Sequence, residues 1–210
     1  MLLGRIEMIL KKLEMENFLP FYLHAEIDFT PKDGNKIILL QGVNGAGKSS
    51  TFAAVNFVFF GAPVMTAEKT EALELYDLVN TKKIKESDGV TSVTVHFTHE
   101  SENWSFMRKI NFKKIDTTRN SAMTKEEYAE KIKLEKKKNI SVGEFIAVKN
   151  GSTITWHTDP RRRENSILQL IETVIPKESS KYYFFDGEEI SKYTTVPPED
   201  SIKVLIEKLL

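Results

Sequence analysis

The stretch Gly42-Val43-Asn44-Gly45-Ala46-Gly47-Lys48-Ser49 decides the fold. It satisfies GxxxxGK[ST], a pattern whose glycines let successive backbone N–H groups curl around an anion without Cβ clashes. The pattern carries meaning only between a strand and a helix, and both neighbours are legible. Upstream, Lys36-Ile37-Ile38-Leu39-Leu40 is a short apolar run suited to a buried strand. Downstream, Ser49 to Phe60 has no Gly or Pro before Gly61. Phe52, Val55 and Phe59 share one helical face with Ala53 and Ala54 beside them, which predicts a buried helix whose N-terminal dipole faces the loop.

Each residue of the loop then has an expected task toward a bound nucleoside triphosphate. The backbone of Gly42, Asn44, Gly45, Ala46 and Gly47 wraps the phosphates. Lys48 reaches the β- and γ-phosphates, the Ser49 hydroxyl ligates Mg2+, and Ser50 and Thr51 donate to the α- and β-phosphates. A guanine-specific site would show an Asn-Lys-x-Asp element. The nearest string, Asn80-Thr81-Lys82-Lys83, lacks the carboxylate, so ATP is the expected nucleotide.

Working outward, residues 8–18 (MILKKLEMENF) and 22–29 (YLHAEIDF) alternate apolar and polar positions around the break Leu19-Pro20-Phe21, as neighbouring half-buried strands do. Pro31 to Asn35 supplies turn chemistry, and a second helix is expected around 67–79. Residues 91–98 and 104–112 read as a hairpin turning over 99–103. Thr124 and Glu127 form a capping-box pattern that starts an exposed helix in the Lys- and Glu-rich stretch 113–138. Asn150-Gly151 marks a tight hairpin turn between strands 145–148 and 153–158. Asp159 as N-cap and Pro160 as first residue open a helix that runs to about Val174.

Composition narrows the class. Hydrophobic residues at 40% and charged residues at 29% suit a folded globular chain. Thirty basic against thirty acidic residues leave no overall charge, so any surface for nucleic acid must be a local patch. The absence of Cys excludes a disulfide framework and thiolate chemistry, and suits a cytoplasmic location. No apolar run is long enough to span a bilayer, so no membrane role is expected. The strand pattern begins near Met8, which makes 1–7 a candidate extension.

Three elements together resemble the N-terminal half of the head domain in SbcC- and SMC-type ATPases, relatives of the ABC class. They are the opening strand ending in Asn17-Phe18, the loop GVNGAGKSS at 42–50, and the run Tyr183-Phe184-Phe185-Asp186-Gly187-Glu188-Glu189-Ile190. The last resembles the "FFFDGE-I" string of DndD, the ATPase of DNA phosphorothioation systems. The resemblance implies an α/β P-loop lobe over 1–195, with a mixed sheet around the loop helix, an antiparallel side sheet, and the start of a coiled-coil helix over 196–210. It implies Asn17 and Phe18 near the nucleotide. Where SbcC-type relatives have a Gln-Gly-Glu string, Asp186 stands at the Gln position, so Asp186 and Glu188 are the candidates for Mg2+ and the attacking water. It further implies a second ATPase head, DNA and other components of a DNA modification or repair complex as partners. The signature motif and Walker B acid would lie in a C-terminal half.

Other readings of the same residues stay open. Tyr182 to Asp186 also fits a Walker B strand, four hydrophobic residues and an acid, with Glu188 or Glu189 as general base, which would make the chain a self-contained NTPase or kinase. A nucleotide-gated module that hydrolyses nothing is the third reading. Ile140-Ser141-Val142-Gly143-Glu144 matches a signature motif superficially but leads into a hairpin. Arg161-Arg162-Arg163 invites a phosphate partner but reads first as a solvated face. Trp104 and Trp156 read as packing residues, and His96 and His99 point to opposite faces of a strand.

Overall fold

The alternating patterns become one antiparallel sheet. The computed structural model describes residues 8–30, 38, 40–61 and 74–175. Strands β1 (Met8–Phe18), β2 (Phe21–Asp28), β3 (Gly89–His99), β4 (Glu102–Phe112), β5 (Ile140–Lys149) and β6 (Ser152–Thr153) lie in the order β2-β1-β3-β4-β5-β6. Every pairing between them is antiparallel. The mixed sheet expected around the loop therefore has no parallel pair among the described residues. Of its anticipated strand 36–40, Ile38 and Leu40 are described and form no strand, while the other three positions lie outside the described residues.

One face of the sheet is apolar because alternate residues point the same way. Leu13 and Met15 of β1, Val93, Val95 and Phe97 of β3, and Phe106, Ile110 and Phe112 of β4 are all buried. Helix α1 (Lys48–Phe60) packs on this face and buries nine of its residues, from Ser50 to Phe59. Phe57 meets Phe18 and Phe59 meets Phe97 and Phe106, each with ring centroids 5.9 Å apart. A helix apolar on nearly all sides belongs in an interior, and this burial compensates for the weak helix propensity of its Phe and Val residues.

The remaining helices are peripheral. Of the helix expected over 67–79, the described part is α2 (Leu75–Leu78), followed by the single turn α3 (Lys83–Glu86). Helix α4 (Lys125–Asn139) sits in the β4–β5 connection and has no buried residue, and α5 (Pro160–Val174) buries Ile171 and Val174. The anticipated strand 153–158 ends at Thr153, where Trp156 turns to donate its indole N–H to the Phe145 carbonyl at 3.1 Å. The β3–β4 turn is tighter than expected, with only Glu100 and Ser101 between the strands, both at positive φ. Ile140 to Glu144 is part of β5, so the apparent signature motif is strand rather than the start of a helix. No helix among the described residues is long and apolar enough to cross a membrane.

Candidate nucleotide site

The loop residues gather at the open end of α1. Gly47 is the N-cap, at φ 94°, and no side chain caps the helix there. No acidic residue occupies the first turn. The amides of Lys48, Ser49 and Ser50 therefore belong to the set of N–H groups that an α-helix cannot satisfy within itself, at the positive end of its dipole. The loop closes through a turn in which the Ala46 amide donates to the Val43 carbonyl at 3.1 Å. Lys48 folds back over this turn, its Nζ donating to the carbonyls of Gly42 at 2.6 Å and Val43 at 3.0 Å. Gly42 to Ala46, Lys48 and Ser49 are exposed, so an anion could approach from solvent.

Gly47 is the tightest point of the cradle. A Cβ built there would lie 2.7 Å from Cζ of Phe21, so the left-handed backbone and the Phe21 ring beneath it both require glycine. Thr51, expected to donate to the phosphates, is buried and its hydroxyl donates to the Gly47 carbonyl at 3.0 Å. It braces the first turn instead.

Asn17 and Phe18, expected beside the nucleotide, are framework residues. Phe18 is 0% exposed in the core. Asn17 is 3% exposed at φ 51°, and its side chain accepts from the Leu23 amide at 3.1 Å and donates to the Val90 carbonyl at 3.1 Å. Its own carbonyl accepts from the Asn80 amide at 2.8 Å and the Thr91 hydroxyl at 3.0 Å. Asn80 reciprocates, donating from Nδ2 to the Leu19 carbonyl at 2.7 Å and accepting at Oδ1 from the amides of Lys82 and Lys83. The two asparagines tie the β1–β2 turn to α3 and β3. Through the turn they set Phe21, and Phe21 floors Gly47.

Asp186 and Glu188 lie outside the described residues, as do the candidate extension 1–7 and the final helix 196–210. Among the described residues no group of three or more His, Asp or Glu side chains is arranged to hold a metal. His96 meets Glu14 at 3.2 Å on one face of the sheet, while His99 is buried on the other. Trp104 stacks on Phe97, consistent with a packing role. The arginines at 161–163 are exposed, and Arg163 donates back to the His157 and Thr158 carbonyls at 3.2 and 3.5 Å.

Two residues that pack against the ends of α1 carry no motif that singles them out. Phe21 reads in the sequence only as part of the break between strands. Arg108 occupies the inward row Trp104, Phe106, Arg108, Ile110, Phe112 of β4, and a charge in such a row is a signal the alternation itself carries.

Comparison with known proteins gives the family of the chain. The AAA domain family matches residues 12–209, so the chain belongs to that family. It is also similar to the SbcC component of the nuclease SbcCD from Staphylococcus aureus strains JH9, Newman and USA300, each 43% identical over 49 residues. That stretch is 23% of this chain and 5% of each relative, so the chain spans a small part of the curated relatives it matches.

Proposed function

We propose that this AAA domain chain is the ATP-binding N-terminal half of an SMC/SbcC-type ATPase head acting on DNA. The observation that carries the proposal is the open end of α1, where an uncapped helix N-terminus meets a glycine cradle and a lysine resting on two loop carbonyls. Those carbonyl bonds are what Lys48 exchanges for phosphate oxygens when the triphosphate arrives. The backbone of 42–47 and the first-turn amides bind and orient the phosphates, and Ser49 offers its hydroxyl to Mg2+. Bound Mg2+ would offset phosphate charge.

In heads of this type one phosphate loop faces the signature motif of another head, so ATP joins two heads and gates DNA. The lobe would cover 1–195, with 196–210 opening a coiled coil. Asp186 or Glu188 would sense the metal and the attacking water. The assembly so formed would act in DNA modification or repair.

The experiment is calorimetric titration of the chain with Mg-ATP, beside a turnover assay. Weak, saturable binding is expected, with at least a tenfold loss for Lys48→Ala. Turnover should be negligible until a C-terminal half with signature and Walker B motifs is supplied. Robust hydrolysis by the chain alone would replace this reading with the self-contained NTPase, and unchanged ATP affinity in Lys48→Ala would remove the phosphate site altogether.

A further inference from the structure

Helix α1 is gripped at the end opposite its phosphate loop by a charge that phosphate binding does not use. Arg108 donates from Nε to the Val58 carbonyl at 2.6 Å and from Nη2 to the Phe59 carbonyl at 3.4 Å. The neighbouring Phe57 carbonyl accepts from the Gly61 amide at 2.9 Å, with Gly61 left-handed at φ 76°. A Cβ on Gly61 would sit 3.6 Å from the guanidinium, so the helix stop and the arginine are packed together. Arg108 thus serves two consecutive carbonyls of the last turn, which an α-helix leaves without internal partners.

The guanidinium is held from its other side by β5. Phe145 pairs with Arg108 across the β4–β5 ladder, and the guanidinium carbon lies 4.8 Å from its ring centroid. The ladder register shifts directly after this pair, where Gly143 and Glu144 face the single residue Lys109. Such a bulge re-aims the side chains beside it. Among the described residues no carboxylate pairs with Arg108, and the nearby Glu144 pairs with Lys109 at 3.6 Å. Burial pulls Arg108 down to about 10, which leaves it charged at neutral pH. Its countercharge is the negative end of the α1 dipole.

We infer that Arg108 is a positioning residue for the phosphate loop, fixing the axial placement of α1 from its C-terminal end so that the first-turn amides and Lys48 stand where phosphates bind. The inference rests on the ATP reading above. Apolar contacts along α1 are non-directional, whereas the Arg108 bonds are directional and join the helix to the sheet. The helix is a rigid rod roughly 18 Å long at about 1.5 Å per residue, so a displacement at Val58 is passed to Ser49.

The test compares Arg108→Met and Arg108→Lys in the full chain. Its readouts are the Mg-ATP dissociation constant well below the unfolding midpoint, and hydrogen exchange at the Thr51 amide without nucleotide. Arg108→Met should weaken ATP binding about tenfold and speed Thr51 exchange. Arg108→Lys, keeping the charge but losing the fork, should recover part of both. If the variants lower the denaturation midpoint while binding and Thr51 exchange stay at wild-type values, Arg108 is only structural and the inference is wrong. If wild type itself does not bind ATP, the ATP reading fails, and Thr51 exchange still decides whether Arg108 sets the first turn. Should Arg108→Met not fold, the same two readouts on Arg108→Lys carry the decision.

Discussion

Helix α4 opens on a two-way capping box, has Glu126 and Glu127 in its first turn and Lys136, Lys137 and Lys138 in its last, and buries none of its residues. Helix α1 opens on a glycine with no side-chain cap, has no acid in its first turn, places Lys48 there, and buries nine residues. The first helix satisfies the local rules of capping and dipole compensation and is held largely by them. The second violates those rules at one end and is held by its core contacts. An uncompensated end supported by a buried body is what an anion site requires, because any cap made by the protein would compete with the ligand. Local rules broken at the open end of a helix whose body is buried mark function.

Gly47→Ala should break this contrast most severely. The new Cβ would stand 2.7 Å from the Phe21 ring on a backbone at φ 94°. Left-handed strain and overpacking together should cost about 2–4 kcal/mol. Urea denaturation should show the loss and calorimetry should show no ATP binding by the folded fraction. Full ATP affinity in this variant would mean that the open end of α1 is not the site.

Thr124→Ala tests the opposite pole. The Thr124 hydroxyl accepts from the Glu127 amide at 3.1 Å while Glu127 accepts from the Thr124 amide at 2.8 Å. Losing the cap should cost about 1 kcal/mol, confined to α4. Hydrogen exchange should rise in residues 125–130 and nowhere in α1, with ATP affinity unchanged. A drop in ATP affinity would show that the two helices are coupled, against the separation their burial implies.

The contrast also explains what could be read in advance. Helices α1, α4 and α5 are legible because caps, breakers and periodicity are local: Thr124 with Glu127, Asp159 with Pro160, Gly61 after Phe60. Strands β1 to β4 are legible from alternation and the hairpin turn from Asn150-Gly151, whereas the strand expected over 153–158 ends at Thr153. The order of strands in the sheet comes only with the structure. What escapes depends on partners distant in the chain. Asn17 reads as a nucleotide contact because its motif position resembles one, yet its bonds reach Val90, Asn80 and Thr91, more than sixty positions away. Arg108 reaches back to Val58, and Phe21 slides under Gly47. The Glu100-Ser101 turn has no glycine to mark it, so the long β3–β4 ladder, not turn chemistry, imposes its positive φ values.

The smallest effect belongs to the base of the α4 insert, where pH separates exposed electrostatics from core packing. The Asp116 carboxylate accepts from Lys131 Nζ at 2.7 Å and from the Thr118 amide at 2.8 Å. The hydrogen bond from Lys131 first, and those from Thr118 next, hold its pKa well below the usual carboxylate range. A carboxyl whose folded pKa lies below its unfolded value of about 4 contributes stability that is present above that value and is lost as pH falls through the folded one. Asp116 is solvent-exposed, so the effect is local and slight. Asp116→Asn should therefore lower the protection factor of the Thr118 amide at pH 7, and the gap from wild type should narrow as pH falls below the carboxylate range. Protection in α1 should not respond to the substitution at either pH, because α1 is held by contacts that carry no titrating carboxylate among the described residues. Equal Thr118 protection at pH 7 would show that the ion pair does not organise the insert, and a response in α1 would show that the polar insert and the buried helix share one cooperative unit.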